Sequence, residues 1–217
     1  MPDLTLVIGN RNYSSWSLRP WLALAEAGIA FAEIMVALWE PGYEARVRAH
    51  SPSGRVPVLR HGAVTVWESL AICEYVAELA PAARLWPEDA AARAHARAIA
   101  AEMHAGFAAL RRELPMNIRA RKPGRPVSPE AAADIARIAA IWSATRARFG
   151  AGGALLFGRF TIADAMYAPV AARFATYDVA LPPEASAYRD AVLALPAMRR
   201  WAEAAAQEPQ VVERLEI

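Results

Sequence analysis

Apolar residues recur along the chain with two different periods, and the change between them falls near residue 80. Leu4–Ile8 is a short β-favouring run that ends at Gly9-Asn10, the pattern of a buried first strand. Arg11–Ser17 is polar and turn-like. Leu18, Trp21, Leu22 and Ala25 then recur at helical spacing, and Gly28 stands where that helix should end. With Ser17 as N-cap, Pro20 falls at N3, where the N–H it lacks would go unpaired anyway. Phe31–Leu38 predicts a second strand with Ile34, Val36 and Leu38 on one side. Gly42–His50 predicts a short, irregular helix. Val56–Arg60 and Ala63–Trp67 predict two strands joined by a tight turn at His61-Gly62. Glu68–Leu79 follows as a helix with Leu70, Cys73, Val76 and Ala77 on one face. The order β-α-β-(α)-β-β-α combines a parallel crossover with an antiparallel hairpin, so it predicts a small mixed sheet covered by helices.

Two prolines interrupt the pattern in Pro81–Asp89, which reads as a linker. Everything after it has helical periodicity: Ala90–Leu114, Pro129–Phe149, Thr161–Phe174, and Ala185–Ala205 with a break before Pro196. The expected organisation is an α/β unit over residues 1–80, a linker over 81–89 and an all-helical unit over 90–217.

Composition narrows the class. The hydrophobic fraction is 56%, enough for real cores, and much of it is alanine, which favours helix. The single cysteine, Cys73, excludes an intramolecular disulfide framework and a Cys-rich metal site. It reads as a core residue rather than a reactive thiol. The net charge of +2 is too small to imply nucleic acid. The basic group Arg119, Arg121, Lys122 and Arg125 reads as a solvated loop. No run of 18 apolar residues occurs, and the first residues lack the pattern of a signal peptide. The expectation is a soluble, cytoplasmic protein with no membrane or nucleic-acid partner.

Three local features carry chemistry. Tyr13-Ser14-Ser15-Trp16-Ser17 places adjacent hydroxyls ahead of a helix, where free N–H groups and the helix dipole stabilise an anion such as a thiolate. Taken alone, these serines read first as helix caps. Arg55-Val56-Pro57 opens a strand with a proline, where a cis bond is tolerated and the Val56 backbone would face an extended peptide ligand. Glu68-Ser69 sits between a strand and a helix, and its carboxylate and hydroxyl suit the ammonium and carboxylate of an amino acid.

In this order and spacing, the serine turn, Arg55-Val56-Pro57 and Trp67-Glu68-Ser69 resemble the glutathione-contacting elements of the glutathione transferase superfamily. Ser14-Ser15-Trp16-Ser17 with Arg19 is most similar to the zeta class, the maleylacetoacetate isomerase type. Phe160–Asp164 resembles the capping motif of that family's helical domain, so the likeness spans the chain. The resemblance implies a thioredoxin-like N-terminal domain that binds glutathione as co-substrate, and a helical domain that forms the electrophile pocket. It implies that Ser14 or Ser15 donates a hydrogen bond to the glutathione sulfur. Val56 would pair with the cysteinyl backbone, Arg55 would contact the tripeptide, and Glu68 and Ser69 would hold its γ-glutamyl end. The zeta turn has Cys where this chain has Trp16, which removes any chemistry that depends on that thiol.

A free thiol titrates near pH ~8.5, so about 3% is thiolate at neutral pH, and a shift of about two units, roughly 2.7 kcal/mol, would make thiolate the majority. A hydroxyl hydrogen bond and a helix N-terminus together have that order of magnitude. The pocket for the electrophile is expected between the two units, with Met103, His104, Phe107 and Arg111 as candidates on one helix face. His104 has no second His at ligand spacing, so no metal is expected. Thr161 and Asp164 read as a capping box that serves folding. The leading reading is transfer of glutathione to a soft electrophile. Isomerisation of a maleyl-type diacid is the rival, with Arg19, Arg111 or Arg119 as carboxylate partners. A non-catalytic interaction protein of the same fold is the third reading. The resemblance also implies a homodimer, in which helix 90–114 and hairpin 58–67 pair across a two-fold axis.

Overall fold

The protein is described from a computed structural model covering residues 3–217. Strand β1 (Leu4–Ile8) lies in the interior of a four-stranded sheet of order β2-β1-β3-β4. It pairs in parallel with β2 (Ala32–Met35) and antiparallel with β3 (Val58–His61), which forms a hairpin with β4 (Val64–Trp67). Leu6, Val7 and Ile8 are all fully buried, because β1 is covered on both faces, and so the run reads apolar without alternation. On one face Val7 and Val58 meet Val36 and Val47, the latter from helix α2 (Tyr43–Arg48). On the other, Leu6, Ile8 and Leu59 pack on α1 (Ser15–Glu26) and α3 (Ser69–Leu79) in a core that continues into the helical half.

The helical half consists of α4 (Ala90–Ala105), α5 (Ala108–Glu113), α6 (Pro129–Phe149), α7 (Ile162–Thr176), α8 (Pro183–Ala194) and α9 (Pro196–Ala206). Helix α7 is its axis: all but one of its residues are buried, and it packs against α1, α4 and α8. Asp164 fixes its start. Its Oδ2 accepts from Thr161 N and Oγ1, and its Oδ1 from Leu156 N and Tyr188 Oη. Burial pushes the Asp164 carboxyl up to about 6, while those four donors pull it the other way. The expected mixed sheet followed by helices is observed, and the Val56–Pro57 bond is cis.

Three local expectations differ from the structure. Helix α1 starts at Ser15 with Ser14 as N-cap, so Pro20 lies inside it rather than at N3. The side chain that should have capped, Ser17, instead accepts the Gly9 N–H. The β3–β4 turn is Gly62-Ala63, because His61 still pairs with Val64 and Gly62 takes φ +57°. The predicted single helix over 90–114 is broken at Gly106-Phe107, where Phe107 has φ +62°. A Cβ at Gly106 would stand 2.9 Å from the Glu102 carbonyl oxygen. The Arg111 guanidinium closes the break by donating to the carbonyls of Met103, His104 and Gly106.

Candidate functional site

Between β1 and α1 the chain makes a tight turn in which Ser14 N donates to the Asn10 carbonyl at 2.8 Å. The helical half clamps this turn. Asn12 Nδ2 donates to Asn117 Oδ1, and Asn12 in turn accepts from the backbone N–H groups of Ile118 and Arg119. The Glu208 carboxylate, after α9, accepts from the N–H groups of Arg11 and Asn12. Within the turn Ser17 Oγ accepts from Gly9 N at 3.1 Å and lies 2.7 Å from Ser14 Oγ, which also accepts the Ser17 N–H. With the Ser17 hydroxyl proton directed at Ser14, the Ser14 proton is free to donate outward. Each donor in such a chain polarises the next. Ser15 Oγ makes no hydrogen bond among the described residues.

Trp16, the residue after these serines, is a partition between two cavities. The first, of about 370 Å³, is lined by Ser53, Arg55, Val56, Pro57, Glu68, Ser69 and His104. Ser69 Oγ is buried without a hydrogen bond, and the half-exposed Glu68 carboxylate meets His104 Nε2 alone, at 3.6 Å. Glu68 has φ +70°, a conformation that costs a non-glycine residue about 1–3 kcal/mol. Its side chain caps nothing, although it occupies the N-cap of α3. A strained backbone, a half-exposed carboxylate and an orphaned hydroxyl thus fall on two consecutive residues.

The second cavity, of about 230 Å³, is lined by Tyr13, Ser14, Ser15, Trp39, Pro115, Met116 and Leu215, with Arg111 and Arg173 as its cations. No acidic residue lines it. Burial, together with Arg111, lowers Arg173 to about 9, and burial likewise lowers Arg111. Arg111 Nη1 is buried without a partner. Guanidinium carbons of Arg19 and Arg111 lie 4.4 and 4.7 Å from the Trp16 ring centroid, which fixes the plane of the partition by cation–π attraction. Tyr13 does not point its hydroxyl at the serines. It donates to Glu216 and accepts from Arg119 Nη2 and Val212 N, so it ties down the C-terminal tail that carries Leu215.

The structure thus brings Ser14 and Ser15 into one cavity and Arg55, Val56, Glu68 and Ser69 into the other. Of the four residues expected around an electrophile, only Arg111 lines the cavity of the serines. His104 lines the Glu68 cavity, Met103 is core, and Phe107 is buried at the α4–α5 break. Arg19 is fully buried behind Trp16, and Arg119 is occupied by Tyr13 and the carbonyls of Glu208 and Gln210. Arg173, Trp39 and Leu215 escaped the sequence reading. Arg173 sits in an alanine-rich helix with no local signal, and the other two lie in loops that only the fold brings near. Cys73 is fully buried, and burial pushes its thiol up to about 12, as expected for a core residue. No group of three or more potential metal ligands occurs among the described residues, and no described helix is long and apolar enough to cross a membrane.

Residues 13–79 match the family described as glutathione S-transferase, N-terminal domain. Maleylacetoacetate isomerase of Rattus norvegicus is 35% identical over 92 residues, 41% of this chain and 42% of that protein. A probable maleylacetoacetate isomerase of Caenorhabditis elegans is 33% identical over 97 residues, 45% and 44% of the two chains. The matched segment therefore spans less than half the length of these curated relatives. Solved structures match over nearly the whole chain. A theta class glutathione S-transferase from Xanthomonas axonopodis, with glutathione bound, is 28% identical with a TM-score of 0.65, covering 93% of this chain and 98% of that one. A glutathione transferase homolog from Burkholderia, also with bound glutathione, is 25% identical with a TM-score of 0.69, covering 94% and 97%.

Proposed function

We propose that the protein is a glutathione transferase that activates the thiol of glutathione for addition to a soft electrophile; the match of residues 13–79 to the glutathione S-transferase N-terminal domain and the likeness of nearly the whole chain to solved glutathione transferases support this reading. The observation that carries this reading is the meeting of two unlike cavities at Trp16, one with free amino-acid-binding groups and one with a hydroxyl chain at a helix N-terminus. The sheet-bearing unit through residue 80 binds the peptide, the helical unit from residue 90 walls the electrophile, and 81–89 joins them.

In this mechanism Glu68 pairs with the γ-glutamyl ammonium, and Ser69 donates to its carboxylate. The Val56 backbone holds the cysteinyl residue, and Arg55 attracts the carboxylates at the cavity mouth. The sulfur then reaches past the edge of Trp16 to Ser14. Ser14 is the donor favoured here: it accepts the Ser17 N–H, and with the Ser17 hydroxyl also turned toward it its own proton is free, while Ser15 lies beside it as a second hydroxyl. The thiolate gains a hydroxyl hydrogen bond and the positive end of α1. The electrophile is held against Trp16, Trp39 and Leu215, so the reaction becomes effectively intramolecular.

A second reading, glutathione-dependent isomerisation of a maleyl-type diacid, draws support from Arg111 and Arg173 in a cavity without acidic residues. The relatives named maleylacetoacetate isomerase point the same way. Val64 and Trp67, exposed on edge strand β4, are apolar positions suited to the expected homodimer.

Calorimetry with glutathione, followed by ultraviolet titration of the bound thiol, tests the core of this reading. Rates with an aryl halide, an organic hydroperoxide and a maleyl diacid separate transferase from isomerase. Failure to bind glutathione at millimolar concentration would overturn both and leave the non-catalytic interaction protein.

A further inference from the structure

His104 belongs to the last turn of α4 in the helical half, yet it lines the cavity of Val56, Glu68 and Ser69. Its Nε2 stands 3.6 Å from Glu68 Oε2. Its ring meets Trp16 edge-on at 5.3 Å, and its Nδ1 is buried with no partner. Its own carbonyl is held by the Arg111 guanidinium, which fixes the helix end that carries it. The imidazole is therefore not mobile decoration on a cavity rim. Trp16 and the α4–α5 break hold it with one nitrogen facing a carboxylate that nothing else engages.

We propose that His104 is a positioning residue for Glu68: while neutral it leaves the carboxylate to the γ-glutamyl ammonium, and once protonated it competes for that carboxylate and weakens binding. This rests on the glutathione reading above. The charged groups that face His104 are Arg19 from α1, Arg111 from α5 and Glu68 at the head of α3. Burial and the two guanidinium groups disfavour the imidazolium, Glu68 favours it, and the net effect lowers the His104 pKa from its ordinary value. A bound ammonium adds a third cation and draws on the same carboxylate. Ligand and proton then oppose one another, and by linkage each weakens the other equally. The neutral form thus prevails at physiological pH, and the competition appears on acidification.

S-methylglutathione is the probe, because it lacks the thiol proton whose own titration would intrude. Calorimetry should give a Kd that rises at least about two-fold and less than about ten-fold between about pH 7.5 and about pH 5.5, the range for one competing proton whose pKa lies below the ordinary value. In His104→Gln and His104→Asn that rise should vanish, whatever their affinity at neutral pH. In the parent protein the His104 ring proton, followed by NMR, should titrate at lower pH with S-methylglutathione bound than without it. An equal pH slope in both variants, or a His104 titration that stays put or moves up on binding, overturns the proposal. Binding that is tight but independent of pH sinks this role alone. Absence of binding at every pH removes the glutathione site itself, and the role of His104 with it.

Discussion

The two cavities beside Trp16 are built in opposite ways. The Glu68 cavity takes most of its wall from two short stretches, Ser53–Pro57 and Glu68-Ser69, whose backbone is pinned by β3, β4 and the start of α3. The Ser14 cavity joins the first turn, Tyr13–Trp16, to residues from the loop after β2, α5, the loop beyond it, α7 and the C-terminal tail. One is a local device with groups left unpaired for a ligand. The other is an assembly in which some polar groups hold the chain together, as Tyr13 does the tail and Arg111 the α4–α5 break, while Arg111 Nη1 stays without a partner. The first is suited to one unvarying peptide. The second has walls that can be exchanged singly without disturbing the peptide site, which is how one fold serves many electrophiles.

The largest effect should come at the junction of the two. Ser14→Ala removes the hydroxyl that faces the sulfur and should raise the bound thiol pKa by about one and a half to two units, back toward the free value, which at saturating glutathione is a roughly ten-fold or greater loss of kcat/KM for the electrophile at neutral pH. The sign is testable. A depressed thiol pKa favours the thiolate between the bound value and the free value near pH ~8.5, so the loss should shrink as pH rises through that window. Equal loss at all pH values would mean that Ser14 is only a helix cap. Ser17→Ala breaks the same chain one step back and should give a smaller shift in the same direction.

Next in size is Glu68→Gln. It exchanges an ionic hydrogen bond, worth about 1.5–3 kcal/mol, for a neutral one worth about 0.5–1.5 kcal/mol, and should raise KM for glutathione roughly five- to twelve-fold. KM for the electrophile should not move. A parallel rise in both would show that the two cavities are not separable, and the contrast drawn above would fail.

The local cavity is legible in the sequence and most of the assembled one is not, for a physical reason. Pro57, Glu68 and Ser69 stand at strand and helix boundaries, where residue type reports backbone geometry directly. Even there the reading misplaced the start of α1, because Ser14 and Ser17 are both competent caps and only the Gly9 N–H decides between them. The second cavity depends on the break at Gly106-Phe107, which a single glycine marks only weakly in an alanine-rich run. Carried as one continuous helix, residues 103–111 present His104 and Arg111 to the same pocket. The break sends His104 to the peptide side and leaves Arg111 with the serines. Arg173 is legible only once α7 is known to run beneath the first turn.

Arg173→Met probes the charge of the assembled cavity. It should raise KM about five-fold for a carboxylate-bearing electrophile, in line with about 1 kcal/mol for a partly screened ion pair, and leave an uncharged aryl halide nearly unchanged. Equal effects on both would show that the side chain acts through its bonds to the carbonyls of Leu114 and Pro169 rather than through its charge.

The smallest effect, and the sharpest discriminator, belongs to the tail. Leu215 lies in a short helical turn (Glu213–Leu215) held from both sides: Tyr13 donates to Glu216, and Val212 N donates back to Tyr13. Arg214 covers the Trp39 ring at 4.4 Å, so the two walls of the cavity mouth brace each other. Leu215→Ala removes apolar surface from one wall while leaving these bonds in place. With partial burial in the free protein, the loss should be about 1 kcal/mol or less, a two- to four-fold rise in KM for an apolar electrophile. Neither the bound thiol pKa nor KM for glutathione should change, because the tail touches neither Ser14 nor Glu68. Tyr13→Phe is the companion variant. It keeps the ring in the wall but releases the tail, so it should match or exceed Leu215→Ala on the electrophile alone. A shift of the thiol pKa in Tyr13→Phe would place the phenol in the activation of the sulfur, and the division between a fixed peptide cavity and an exchangeable one would have to be redrawn through Tyr13.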